Sequence, residues 1–430
     1  MQASSSLAQD TVVSNLVLVA RATSPPACIG LYGHWGTGKT AILRSTANQW
    51  NERGLGPVVW FNSWEHDRAG DSLTPLLSTI ATYASEFAKD NQKVKDLGTA
   101  VIKTALSLTL RLGISAATFA ALGSAAVALS PLSRVRAEEY SDYFKARDDE
   151  AAHTMAASAL KAQFADLVSA AMDNYPDGEQ KLLILLDDVD RCLPDRALAL
   201  IESVKLLLCG APNCRALFLF AVDRSMINEA VRARYPGSIA YIGEDYLEKV
   251  FDFSFEAPNI VQANIEAYVR QLYGDGIQAP WTPQNQRIDL GTLTRVLSFA
   301  GLSTPRTIKR TLNRLSLLLP SLAEQGLPPA GDEEHGQFLA FVAGAERFRQ
   351  LREFVFECTE SEFRNTVGAT VGHFSPSSLA PAAAELVRLP GIRKFLMVVG
   401  AAGASTSDEE AHRCIQKLGH WDLMLRRVGL

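Results

Sequence analysis

The sequence predicts an α/β fold: a parallel sheet carrying a phosphate-binding loop, a helical insertion inside that core, and an all-α C-terminal region. Three observations lead there. Gly33 to Thr40 read GHWGTGKT; an apolar run that ends in paired aspartates, KLLILLDDVDR, spans Lys181 to Arg191; and beyond Phe255 the pattern turns wholly helical.

The loop fits its surroundings. The apolar stretch Ala27 to Tyr32 (ACIGLY) follows Pro25–Pro26 and reads as a strand buried on both faces. Ala41 to Trp50 sets Ile42 and Leu43 among polar residues and reads as a helix. Between them GHWGTGKT fills the pattern G-x-x-x-x-G-K-[ST]. Strand, glycine loop and helix together make backbone N–H groups and a positive helix end converge on a phosphate chain. The expected cradle is Gly33, His34, Trp35, Gly36, Thr37, Gly38, Lys39, Thr40 and Ala41. Gly36 and Gly38 let the backbone bend, Lys39 reaches the β and γ oxygens, and the Thr40 hydroxyl ligates Mg²⁺.

A metal held by Thr40 on one side needs a carboxylate on the other. The apolar run Leu182 to Leu186 predicts a second buried strand, whose carboxyl end delivers Asp187 and Asp188 to the crevice of an open parallel sheet. Asp187 is the expected metal ligand. Asp188 is expected to orient or deprotonate the attacking water. Glu65, which follows the predicted strand Pro57 to Phe61, is the runner-up for that role, and Trp64 is expected to pack beside the loop.

Five further segments carry a resemblance: WFNSWEH (Trp60 to His66), DDVDRCLPDRALALIESVKLLL (Asp187 to Leu208), FLFAVDRSMI (Phe218 to Ile227), YLEKVFDFSF (Tyr246 to Phe255) and STPRTIKRTLNR (Ser303 to Arg314). In that order and spacing the chain resembles the KAP family of P-loop NTPases over roughly residues 10 to 320. The resemblance implies a P-loop NTPase core, Mg-ATP as ligand and a helical region behind it. Bacterial members of the family are associated with exclusion of phage and other mobile-element conflict; animal members are membrane scaffolds.

Carried over by position, Asp187 and Asp188 match the family's acidic strand end and Asp190–Arg191 the pair after it. Arg191 is then a candidate for touching a γ-phosphate of its own or a neighbouring subunit. Pairing with Asp190, or with the helix that starts near Pro194, is an equally good alternative. Asp223 and Arg224 close the predicted strand Ala216 to Val222 and are sensor candidates, set against a structural ion pair. By resemblance Arg306 occupies a second sensor position. Its helix puts Arg306, Lys309, Arg310 and Asn313 on one face and Ile308, Leu312, Leu315 and Leu319 on the other. A solvated basic face or a nucleic-acid contact are the alternatives there. The resemblance to guanine-specific enzymes would require an Asn-Lys-x-Asp element, which is absent, so ATP is expected rather than GTP.

Composition sets the outer bounds. The chain has 430 residues, 47% of them hydrophobic, enough for two domains: a core over 1–257 with an insertion at about 91–151, and a helical lid and domain over 258–430. Net charge is −5, which argues against a dominant electrostatic footprint for nucleic acid but leaves room for a local basic groove. Six cysteines show no C-x-x-C pair and read as reduced thiols of a cytoplasmic protein. MQASSSLAQD has no basic region feeding an apolar one, so no secretory signal is expected.

The insertion centres on Thr104 to Ser130, rich in Ala, Ser and Gly with Arg111 its one charge. A membrane span needs about 20 apolar residues, and there is room for only one. Lys39 and Asp187 must meet at one nucleotide, so the chain must cross a bilayer an even number of times between them. A soluble helix or helical hairpin is expected, with membrane association through 104–130 as the alternative. Behind the core, helices are predicted at Val261 to Leu272, Gly291 to Phe299, Thr307 to Leu319, Gln337 to Phe354, Ser378 to Leu389 and Asp408 to Leu425, the last with a capping box from Ser407 to Glu410. Two functions fit: an ATP-driven motor or switch of a bacterial anti-phage complex, working with proteins of its operon and able to form a homo-oligomer, or a nucleotide-gated scaffold with little turnover.

Overall fold

The computed structural model describes residues 7–111, 150–273 and 290–393, apart from short stretches at 70–71, 89–90, 174, 176–179, 212, 235–241, 259–261, 303, 325–341, 372–378 and 390. It divides into two compact units, Gln9–Pro258 and a second made of Asn259–Leu430 with Met1–Ala8.

The first unit is built on a parallel sheet of β1 (Ala27–Tyr32), β2 (Val58–Asn62), β3 (Leu182–Asp187), β4 (Ala216–Val222) and β5 (Phe253–Glu256), in the order β2-β3-β4-β1-β5. β1, β3 and β4 are buried at every position, as expected for strands covered on both faces. Alternation then sorts their side chains into two layers. Cys28, Tyr32, Ile184, Leu186, Phe218 and Phe220 face one core, shared with α3 (Leu73–Phe87), α4 (Gln92–Arg111), α5 (Glu150–Met172) and α6 (Pro194–Ser203). Ile29, Leu31, Leu183, Leu185, Leu217 and Leu219 face the other, against α1 (Leu7–Ala22) and α2 (Lys39–Glu52). Each such side chain contributes about 1.5–3 kcal/mol of burial, so together they hold the strand ends in fixed register. That register pairs Asn62 with Asp187 and Tyr32 with Val222, which lines up the carboxyl ends where loop chemistry gathers.

Helix α1 has no counterpart among the expected elements. Val13, Leu16, Val17 and Ala20, at helical spacing, form its buried stripe. Lys181, 8% exposed, caps its end: Nζ donates to the carbonyls of Arg21 (2.5 Å), Thr23 (2.6 Å) and Ala20 (3.3 Å). A helix terminus leaves carbonyls without intrahelical partners, and this buried ammonium satisfies them.

The start of the insertion, α4, and the helix that follows the insertion, α5, belong to the core. Val101, Ala105 and Leu108 of α4 and Leu160, Phe164 and Leu167 of α5 are buried in the layer that covers the sheet, and Thr104 Oγ1 donates to Gln163 Oε1 at 2.7 Å. Most of Thr104 to Ser130 lies outside the described residues. Among the described residues no helix is long and apolar enough to cross a membrane. The five described cysteines form no disulfide, and the sulfurs of Cys28 and Cys209 lie 2.8 Å apart; Cys414 lies outside the described residues.

The second unit is helical at Gln262–Tyr273, Leu290–Phe299, Pro305–Glu324, Arg349–Glu357, Glu360–Val371 and Pro381–Arg388. Two expectations are corrected here. The start of the expected helix Gln337 to Phe354 lies outside the described residues, and its remainder is interrupted at Phe348, which is extended (φ −114°, ψ 104°) with its ring against Gly391, where no side chain blocks it. The basic face is not free at Arg310 either: Arg310 and Arg314 both pair with Glu346, 3% exposed, at 3.0 and 2.9 Å. The predicted helix Asp408 to Leu425 and its cap lie outside the described residues.

Candidate functional site

The glycine loop turns off the end of β1 into α2. Gly36 and Gly38 have φ of 89° and 96°, backbone that side chains rarely adopt, and a Cβ on Gly38 would come within 2.8 Å of Gln9 Nε2. Thr37 tightens the turn by donating its N–H (3.2 Å) and its hydroxyl (2.8 Å) to the His34 carbonyl. Gly38 caps α2, whose first-turn N–H groups have no carbonyl four residues back and so face the loop's hollow with the positive helix end. Trp35 and Ala41 are exposed; Lys39 is 8% exposed.

Lys39 Nζ donates to the Gly33 carbonyl at 2.6 Å and the His34 carbonyl at 3.3 Å, and it sits 2.7 Å from Asp190 Oδ2. Thr40 Oγ1 donates to Asp187 Oδ1 at 3.2 Å, so α2 and the end of β3 are brought together as expected. Asp187 is 3% exposed and also accepts the Asp188 N–H at 2.9 Å. Burial, then the neighbouring Asp188 charge, push its carboxyl above the ordinary range. Burial does the same to Asp188, partly offset by Arg191. Two crowded acids beside a hydroxyl are the setting of a divalent cation. Among the described residues no three His, Cys, Asp or Glu side chains converge to hold a metal. Mg²⁺ does not need three, since it binds through one or two carboxylates and completes its shell with phosphate oxygens and water.

The raised carboxyl has a stability consequence with a definite sign. Asp187's folded-state pKa lies above its ordinary 3.8, so the ionised group costs stability at neutral pH, and the cost disappears as pH falls through the folded-state pKa to 3.8. Asp187→Asn is therefore expected to melt higher than wild type at pH 7 when both are free of nucleotide and metal. The gap should close as the pH is lowered toward 4. Thermal melts across that range check it, and equal melting at pH 7 would count against the assignment.

Asp188 sits in left-handed backbone (φ 54°, ψ 27°) where β3 gives way to the turn Val189–Arg191. Arg191 Nε lies 2.9 Å from its Oδ1, and Asn62 Nδ2 lies 3.4 Å from its Oδ2. Arg191 thus pairs with Asp188, not with Asp190 as the structural alternative had it; a three-residue 3₁₀ turn puts i and i+3 side by side. Trp64 is 51% exposed, with the Arg191 guanidinium 5.5 Å over its ring.

Asn62 was not among the expected residues. It donates to Glu65 Oε1 at 3.0 Å as well as to Asp188, and its Oδ1 accepts the Trp64 N–H at 3.1 Å. Both candidate water-activating carboxylates therefore hang on one amide. The signal was positional, since a polar residue ends β2 directly beside the acidic end of β3. Asp223 reaches the loop, 3.3 Å from His34 Nδ1, and caps α-helical Arg224–Arg234 through Ser225. Arg224 lies 4.8 Å over the Tyr32 ring. Arg306 belongs to the second unit, exposed in the first turn of Pro305–Glu324.

Comparison with solved structures finds similarity to the Aeropyrum pernix ORC2 protein in ADPNP-ADP complexes (12% identity, TM-score 0.37, covering 98% of this chain and 94% of that one). It also finds the Aeropyrum pernix ORC1 protein in complex with DNA (12%, 0.38, 98% and 84%) and Cdc6p from Pyrobaculum aerophilum (12%, 0.38, 97% and 87%). Likenesses this loose assign no role to any residue. No curated protein matches significantly. A family profile described as the KAP family P-loop domain matches residues 7–322, taking in α1, the whole sheet and nearly all of the helix Pro305–Glu324. With most of its length inside that match, the chain belongs to the KAP family of P-loop NTPases.

Proposed function

We propose that this protein binds Mg-ATP and hydrolyses it, coupling turnover to remodelling of a partner complex. The observation that carries the reading is the convergence of Lys39, Thr40, Asp187 and Asp188 on one crevice at the carboxyl ends of β1 and β3. Thr40 and Asp187 would hold Mg²⁺, which when bound neutralises charge on the β and γ oxygens. Gly33 to Ala41 cradle the phosphates through backbone N–H groups, and Lys39 adds the buried cation. Asp188 orients the attacking water and accepts its proton, with Asn62 fixing the carboxylate's direction. Arg191, beside Asp188, supplies a guanidinium for transition-state charge, while Arg224 serves as a sensor of phosphate occupancy.

By family resemblance, the setting is a bacterial anti-phage complex whose other proteins are encoded nearby, with the chain as its ATPase. Titration with a non-hydrolysable ATP analogue, with and without Mg²⁺, together with phosphate release from ATP and GTP, tests the chemistry. Mg-dependent binding and a preference for ATP are expected; a chain that binds neither nucleotide would end the reading. Protection of cells against phage by the operon, lost with Lys39→Ala, tests the setting.

A further inference from the structure

One short turn already engages both Lys39 and Asp188. The turn Val189–Arg191 follows β3 directly; its Asp190 places Oδ2 2.7 Å from the Lys39 ammonium, and its Arg191 places Nε 2.9 Å from Asp188. An ammonium has three N–H donors. Those of Lys39 face the Gly33 carbonyl, the His34 carbonyl and Asp190, so its donor capacity is filled. Of the three acceptors only Asp190 carries charge, and only Asp190 is a side chain able to swing aside. The pair is 8% and 10% exposed, where attraction is little screened by water or salt.

We propose that Asp190 is a built-in stand-in for phosphate, holding the anion position on Lys39 until a ligand with a β-phosphate displaces it. The inference rests on the phosphate-loop reading above. Lys39 cannot turn a donor to a phosphate oxygen without giving one up, and a doubly charged phosphate group outcompetes a single carboxylate for it. Displacement moves the turn, and Arg191 is the next residue along. Its grip on Asp188 loosens with that movement, so the water-orienting carboxylate is released when the phosphate site fills. Two consequences follow for the empty protein: stray anions meet an occupied lysine, and Asp188 stays neutralised. A nucleoside monophosphate, whose phosphate does not reach the β position, leaves Asp190 where it is.

The test uses Asp190→Asn, which keeps the shape and removes the charge, and Asp190→Ser as a second variant should the first fold poorly. Affinity for ADP and for a non-hydrolysable triphosphate analogue should rise about ten- to a hundredfold, the range of a little-screened charge pair, with AMP affinity unchanged. Equal or weaker binding of ADP in both folded variants overturns the proposal and leaves the Mg-ATP reading standing. If neither wild type nor variants bind any nucleotide, both fall. A measurement on the wild-type chain needs no variant. A carbodiimide should couple Lys39 to Asp190 as an amide in the nucleotide-free protein, detected by peptide mass, and saturating ADP or pyrophosphate should suppress it. A cross-link that persists undiminished at saturating ADP overturns displacement.

Discussion

Lys39→Ala is expected to weaken binding of ATP and of its non-hydrolysable analogue about a hundredfold or more and to leave no measurable turnover, because it removes a buried, preorganised cation from the β and γ phosphates. The ammonium is positioned by two backbone carbonyls, at 2.6 and 3.3 Å, so its geometry exists before any ligand arrives. The substitution has a second effect that must be separated from the first. It strands Asp190, 10% exposed, without its cation, and breaking a buried pair from one side costs on the order of 3 kcal/mol. Lys39→Ala should therefore also melt lower. Adding Asp190→Asn to it should restore much of the stability and none of the binding. Calorimetric titration and melting of the single and double variants give the two answers independently; a Lys39→Ala protein that binds ATP like wild type would remove the basis for the whole site.

What sequence reasoning could reach follows from which forces are local. β1, β3 and β4 are continuous apolar runs because both faces are covered, and such runs are visible without any partner. The glycine loop is visible for the same reason: its φ values dictate residue type directly. Helix α1 is legible too, since Val13, Leu16, Val17 and Ala20 repeat at helical spacing ahead of the first strand. The partners of Arg191, Asp190 and Asn62 were not legible. Each is decided by which side chain lies across a crevice from it: Asp190 meets Lys39 over a large sequence separation, and Asn62 meets Asp188 only because β2 and β3 are neighbours in register. The break at Phe348 is of the same kind, a tertiary contact with Gly391 that no helical pattern announces. Arg310, assigned by periodicity to an open basic face, is claimed by Glu346 from outside its own helix.

The choice between Asp188 and Glu65 is where this geometry makes its sharpest demand. Asp188→Asn is expected to lower turnover about 10²-fold or more while leaving affinity for the non-hydrolysable analogue near that of wild type, the pattern of a group needed only to move a proton in the transition state. Arg191 meets Asp188 Oδ1 and Asn62 donates to its Oδ2, so asparagine, with one accepting oxygen, keeps one of the two contacts, and unchanged analogue affinity is what marks the loss as chemical. Glu65 is exposed on the far side of Asn62, 3.0 Å from its amide, and Glu65→Gln should cost much less. Asn62→Ala separates orientation from proton transfer: it removes the tether of both carboxylates, so kcat should fall with analogue affinity kept, and the loss should not add to that of Asp188→Asn if the amide works through Asp188. Single-turnover phosphate release and analogue titration on the three variants supply every number required. Normal turnover in Asp188→Asn with a large loss in Glu65→Gln would move the base to Glu65, and Asn62 would then be the residue that aims it.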